Sequence, residues 1–213
     1  MTPKITVAKD GPLLIDGCET LLSPDPNKKF KTRPKMALCR CGNSKALPFC
    51  DNSHKACEFK GDKQEGHPQN KRRDYTGKEV TVHYNLGICS HAAYCITGLP
   101  QVFDVEKKPW VQPDNASVEE VIDVVRRCPS GALSVTAAEK TISGDGTTEP
   151  KMIVIPNGPL VVKGGAELTG QGVSWAEGTT SDHFTLCRCG KSKNRPFCDG
   201  THKEAPFERP DTH

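Results

Sequence analysis

The sequence predicts an α+β protein, with a small β-rich unit at each end and a mixed helix–strand segment inserted between them. Three observations carry this. The stretch LCRCGNSKALPFCDNSH, Leu38 to His54, recurs almost intact as LCRCGKSKNRPFCDGTH, Leu186 to His202. The likeness extends upstream, where DGPLLIDG (Asp10 to Gly17) answers NGPLVVKG (Asn157 to Gly164), so a whole unit is duplicated and not a motif alone. Between the copies the pattern changes to an amphipathic helical run with its own capping residues.

Taken in order, unit one spans 1–61. Its runs ITVA and GPLLI are short, apolar and framed by turn residues, as strands are. The insert spans 62–150. It opens on KGDKQEGHPQNKRRDYTGK, polar and turn-rich enough to read as a linker, and EVTVHYN then alternates as a strand does. In SVEEVIDVVRR the residues Val118, Val121, Ile122, Val124 and Val125 gather near one helical face, and Ser117 with Glu120 makes a capping box. ALSV reads as a returning strand and TISGDGTTEP as a second linker. Unit two spans 151–213 and repeats the strand pair as MIVI and GPLVV. One unit of roughly 55 residues has little core of its own. The two units are therefore expected to pack together as a pseudo-twofold pair within one chain, a monomer; exchange of units between two chains would give a homodimer instead.

Composition narrows the function. Hydrophobic residues are 35% and charged residues 26%, with 19 Gly and 17 Pro, which suits several small cores. A net charge of +3 is too weak to point to nucleic acid, and the runs Lys28-Lys29 and Lys71-Arg72-Arg73 are short and lie in polar surroundings. The N-terminus has no apolar signal-peptide core, and no apolar run approaches ~18 residues. A reducing, cytoplasmic setting without a membrane span is the expectation.

Eleven cysteines is an odd number, and Cys-x-Cys pairs are awkward for ordinary disulfides. Clustered Cys with His in a reducing compartment reads as metal chemistry. The first copy offers Cys39, Cys41, Cys50 and His54, and the second Cys187, Cys189, Cys198 and His202, both spaced C-x-C-x8-C-x3-H. Cys50 and His54 are four apart, so a helix would project them from one face. Three Cys and one His satisfy one tetrahedral Zn2+. They equally satisfy a two-iron cluster, with a Cys–Cys pair on one iron and a Cys–His pair on the other. Arg40 and Arg188, between the paired cysteines, suit either a hydrogen bond to bound metal or a surface charge.

The repeated stretch closely resembles the signature of the CDGSH iron–sulfur (NEET, mitoNEET-like) family. Ser44 and Ser192, Pro48 and Pro196, and Asp51 and Asp199 occupy its remaining positions. CDGTH in the second copy fits fully; CDNSH in the first departs at Asn52, and Asn is the residue other than Gly that best tolerates positive φ. The resemblance implies a [2Fe-2S] cluster on each set of three Cys and one His, in units paired around a β-rich cap.

The insert carries ICSHAAYC and then RRCPSGAL, which present Cys89, Cys95 and Cys128. Bacterial ferredoxins use C-x2-C-x2-C with a remote Cys-Pro, and here the middle position is Ala92. Three sulfurs suit a [3Fe-4S] cluster. His91, one position earlier, would make it [4Fe-4S] if it ligates; a one-position shift changes the side chain's direction, which favours a supporting role. The segment resembles the divergent mono-cluster ferredoxin domain through GLPQVFD, KPW and CPSGALSV, and this implies a ferredoxin-like βαββαβ-type domain.

Cys18 and Cys57 have no matching cysteine in the second copy and are expected to be small buried hydrophobes. His67, His83, His183 and His213 show no partner pattern, and no nucleotide-binding, hydrolase or haem motif is present. The expectation is a non-enzymatic electron-transfer protein whose partner is a redox donor or acceptor. The rival is an iron–sulfur cluster carrier or redox/pH sensor that releases its His-ligated clusters, with an apo iron–sulfur protein as partner.

Overall fold

A computed structural model describes residues 2–18, 20–67, 71–205 and 207. Twelve short strands and three short α-helices follow one another in this region. In chain order they are β1 (Lys4–Val7), β2 (Leu13–Asp16), β3 (Leu21–Leu22), β4 (Lys35–Leu38), α1 (Ser53–Ala56), β5 (Arg72–Thr76) and β6 (Val80–Asn85). There follow α2 (Tyr94–Gly98), α3 (Val118–Arg126), β7 (Leu133–Ala137), β8 (Lys140–Ile142), β9 (Lys151–Val154), β10 (Leu160–Lys163), β11 (Glu167–Gly170) and β12 (His183–Leu186). The chain is thus mixed, sheet-rich and poor in helix. No helix among the described residues is long and apolar enough to cross a membrane.

The strands form three four-stranded sheets, ordered β11-β1-β2-β4, β12-β10-β9-β3 and β5-β6-β7-β8. In the first two, each copy lends one strand to the other's sheet. β11 lies parallel to β1, pairing Lys4 with Glu167 through Val7 with Gly170, and β3 lies parallel to β9, pairing Leu21 with Met152 and Leu22 with Ile153. Alternation along β1 and β2 puts Ile5, Val7, Leu13 and Ile15 inside and Lys4, Leu14 and Asp16 outside. Those inward residues join Met36 and Leu38, and from the second copy Met152, Val154, Leu160, Val162, Phe184 and Leu186, in one core. Neither copy buries its apolar face alone. The lent strands also cover edges that would otherwise stay open.

The insert has its own core. On α3, Val121, Val124 and Val125 are buried, with Val118 and Ile122 packed beside them. The capping box is formed: Ser117 Oγ accepts from Glu120 N, and Glu120 Oε2 accepts from Ser117 N at 2.9 Å. The element order is ββααββ, not the βαββαβ expected. Its sheet is an antiparallel meander in which β6 pairs with both β5 and β7, so the helices are an excursion between neighbouring antiparallel strands and not parallel crossovers. Both segments read as linkers contain strands. RRDYT is β5, an edge strand whose side chains are mostly outside; Thr141 and Ile142 belong to β8. Backbone pairing holds such strands without an apolar signal for the sequence to show.

A hydrogen-bonded line crosses this sheet. Asp74 Oδ1 lies 2.8 Å from His83 Nδ1, His83 Nε2 lies 2.8 Å from Thr136 Oγ1, and Thr136 Oγ1 lies 3.0 Å from Thr141 Oγ1. His83, without a pattern in the sequence, is buried and satisfied at both nitrogens. His213 lies outside the described residues.

Candidate iron–sulfur sites

Each repeated stretch folds back on itself by the same bonds. The Cys39 and Cys187 amides donate to the Pro48 and Pro196 carbonyls, each at 2.8 Å. Ser44 Oγ donates to the Phe49 carbonyl at 2.6 Å, and Ser192 Oγ to that of Phe197 at 2.7 Å. The Asp51 carboxylate accepts from Lys45 N and Ser53 N, as Asp199 accepts from Lys193 N and Thr201 N. These bonds hold the Asp51 carboxyl well below the usual range, the Ser53 side chain contributing most. The Ser, Pro and Asp of the signature are therefore the loop's internal frame.

Cys50 does not lie on a helix. Asn52 and Gly200 sit at φ 72° and 85°, in the left-handed region, so a helix cannot begin before the next residue. Asn52 takes this conformation as expected. One short turn then carries His54 or His202 back over the cysteine. Cys50 Sγ and His54 Nδ1 lie 3.4 Å apart, as do Cys198 Sγ and His202 Nδ1. Cys39 Sγ lies 3.7 Å from Cys41 Sγ, and Cys187 Sγ 3.7 Å from Cys189 Sγ.

These distances test the fit of a metal. Two sulfurs bound at about 2.3 Å to one tetrahedral ion lie about 3.7–3.8 Å apart, and a sulfur and a nitrogen about 3.5 Å. Each pair in each copy thus has the spacing of two ligands on one ion. Among the described residues no three His, Cys, Asp or Glu converge on a single ion. Backbone amides of Asn43, Asn52 and Lys191 point at Cys41, Cys50 and Cys189 sulfurs from 3.4–3.5 Å, which favours thiolates. Within each close pair the sulfurs are near enough to hydrogen-bond, which favours the loss of one proton over two. One thiol, Cys39 or Cys189, deprotonates more easily, and its partner, Cys41 or Cys187, less so. Burial pushes the Cys198 thiol well up, and that of Cys50 up.

Arg40 and Arg188 are not surface charges; both are buried and bonded to the backbone. Arg40 is 1% exposed; it donates to the Gly11 and Ala8 carbonyls at 2.9 Å and to Gln171 Oε1 at 3.0 Å, and stacks over Phe59. Burial, its largest influence, brings its guanidinium down to about 10. Arg188 donates equivalently to Ile155 and Gly158 and faces Phe207. Each side chain pins its Cys-x-Cys segment to the turn between its unit's first two strands. A lone Arg between cysteines gives no hint of that in sequence.

The two copies touch at their Cys-x-Cys loops. Cys41 and Cys189 form an antiparallel bridge. Gly42 and Gly190 are the residues that permit it, since a Cβ on Gly42 would meet the Cys189 carbonyl oxygen at 2.6 Å and one on Gly190 would strike that of Cys41.

In the insert, Cys89, Cys95 and Cys128 line one cavity of about 1400 Å³ together with His91 and Ala92. Burial and the neighbouring thiols push Cys89 up to about 11. Three uncrosslinked thiols facing one space are a donor set that suits an iron–sulfur cluster. His91 and Ala93 both take positive φ, 53° and 68°, so the loop turns sharply and His91 reaches the cavity despite the shift in sequence. His91 also rests on the second repeat, where a Cβ on Gly200 would sit 2.7 Å from its Cγ. Cys18 is buried in the shared core, as expected. Cys57 is not: it ends α1 and is exposed.

The family model described as "Iron-binding zinc finger CDGSH type" matches residues 10–55 and 157–203, and one described as "Divergent 4Fe-4S mono-cluster" matches 75–138. The chain belongs to the CDGSH iron-binding family. It carries two copies of the CDGSH module with an iron–sulfur mono-cluster domain between them. It is 43% identical over 61 residues to the Uncharacterized protein YjdI of Escherichia coli K12, a match covering 29% of this chain and 80% of that protein. The YjdI protein of Escherichia coli O157:H7 matches to the same extent. No solved structure matches the chain.

Proposed function

We propose that this CDGSH protein is a non-enzymatic, single-chain electron carrier with three iron–sulfur sites in series. A [2Fe-2S] cluster would be held by Cys39, Cys41, Cys50 and His54, and another by Cys187, Cys189, Cys198 and His202. A cubane-type cluster would be held by Cys89, Cys95 and Cys128. With His91 as fourth ligand that cluster is [4Fe-4S], and its place in the cavity favours this; without it the cluster is [3Fe-4S]. Bound clusters would supply one-electron chemistry.

The observation that carries the reading is contiguity. The first repeat meets the second at the Cys41–Cys189 bridge, and the second meets the insert at Gly200 and His91. The chain's own residues keep these sites in register. Arg40 and Arg188 fix the two Cys-x-Cys segments, the Asp51 and Asp199 carboxylates fix the loops, and Asn194 Nδ2 donates to the Gly87 carbonyl at 2.6 Å across the junction. The shared core supports a pseudo-twofold pairing of the copies inside a monomer. Eleven free thiols support a reducing, cytoplasmic setting.

Stepwise reduction of the anaerobic protein, followed by EPR, tests it. Reversible reduction of all three centres with magnetic coupling between the second repeat and the insert is the expected result. Reduction accompanied by loss of iron to an added apo-ferredoxin would favour the carrier reading. That rival has one observation behind it: the first repeat's loop, with Asp51 and Asn52, faces solvent.

A further inference from the structure

We propose that the mouth of the three-cysteine cavity is the docking face for an acidic redox protein, an inference that rests on the electron-carrier reading and names its partner's chemistry. Lys71, Arg73, Lys107, Lys108 and Lys203 all line this mouth, and all are exposed. For a chain with a net charge of +3, five cations around one opening is a marked concentration. Asp74 is the carboxylate in the lining, and Arg72 (3.0 Å) and His83 (2.8 Å) already engage it. Lys107 leans on Asp104 at 3.3 Å yet stays half exposed.

Apolar surface lines the same cavity as these cations. Leu86, Tyr94 and Val105 are 45%, 52% and 64% exposed, three of the six large hydrophobics that the described residues leave open, and all three line this cavity. Exposed apolar surface rimmed by polar residues is a feature of protein-contact sites. The cavity is also larger than the roughly 300–1,000 Å³ of ordinary ligand pockets. Behind the patch, Trp110 packs edge-on to Tyr84 with ring centres 4.8 Å apart and donates to the Tyr75 hydroxyl, giving a stiff aromatic wall beside the cysteines. A partner seated here would hold its own centre over Cys89, Cys95 and Cys128. The cations would steer it in, and the apolar patch would set how long it stays.

The test uses the cluster-loaded full chain and an acidic plant-type [2Fe-2S] ferredoxin, both oxidised, with binding followed by interferometry at 50 mM and 300 mM salt. Binding that weakens at high salt, and weakens at least ~10-fold in Lys107→Glu/Lys108→Glu but less than ~2-fold in Lys55→Glu/Lys60→Glu, supports the proposal. Leu86→Ser/Tyr94→Ser should speed dissociation while leaving the salt dependence alone. Equal losses in the two charge-reversed variants would overturn it. So would tighter binding to basic cytochrome c, preference for phosphatidylserine vesicles, or self-association through the patch. Stopped-flow reduction by the same ferredoxin separates the two claims. Tight binding without reduction defeats electron transfer and leaves docking standing; reduction unaffected by Lys107→Glu/Lys108→Glu defeats the docking face alone.

Discussion

The two repeats hold the same three Cys and one His at the same spacings, and their surroundings differ. Around the first site Cys50 is partly buried and Asp51 and Asn52 are exposed, whereas around the second Cys198, Gly200, Asn194 and Arg195 are buried. The insert makes the difference. His91 rests on Gly200, and Gly87 accepts from Asn194. Duplication supplied two equal sites, and burial against a third domain made them unequal. On the proposed electron-carrier reading, the open site would exchange with solvent or partners and the covered one would pass electrons onward.

The largest effect that would sharpen this comparison comes from Arg40. Arg40→Ala strips hydrogen bonds from buried carbonyls on both sides of the first loop and should cost of the order of 3 kcal/mol in urea unfolding. A loss under ~1 kcal/mol would mean that the loop does not depend on it. Next is Gly200→Ala, which adds strain at positive φ and a clash with His91 at once. It should cost about 1–3 kcal/mol, while Asn52→Ala, with no neighbour to strike, costs less. Equal costs would remove the insert from the account of the second site.

Acid lability separates the sites more gently. Protons compete with metal for thiolate and imidazole, so loading should weaken as pH falls. The first site should bleach several-fold faster than the second at acid pH, and His54→Cys should slow that phase because no imidazole remains to be protonated. Matching rates for the two sites would erase the distinction. The smallest effect concerns the junction. His183 packs against Gly131 and Gly144, and burial lowers its pKa. The native state therefore favours neutral imidazole while the unfolded chain titrates near ~6.5. The contribution is full above that pH and is lost as pH falls toward the folded value. Urea midpoints between pH 7.5 and 5.5 should fall less steeply in His183→Gln than in the parent.

Much of this was legible beforehand, and the exceptions share a cause. Repetition exposed the duplicated Cys–His pattern, and apolar runs exposed β1, β2, β9 and β10, because each strand buries apolar side chains in the shared core. The capped helix α3 was readable from Ser117, Glu120 and its valines. What stayed hidden depends on partners distant in sequence. β5 and β8 are polar strands held by backbone pairing, Arg40 reaches Gln171 across the two copies, and His91 joins the cavity only because two residues take positive φ. Cys50 looked helical because its spacing from His54 suits a helix, yet a left-handed residue between them delivers the same approach.

The measurement that bears most directly on the central claim is iron, acid-labile sulfide and zinc per chain in anaerobically purified protein, read beside its EPR spectrum. Two two-iron sites and one cubane-type site predict about seven irons, or about eight if His91 completes the corner, with sulfide in near-equal amount and visible absorption. Two zinc ions per chain, with no sulfide and no colour from the repeats, would contradict it.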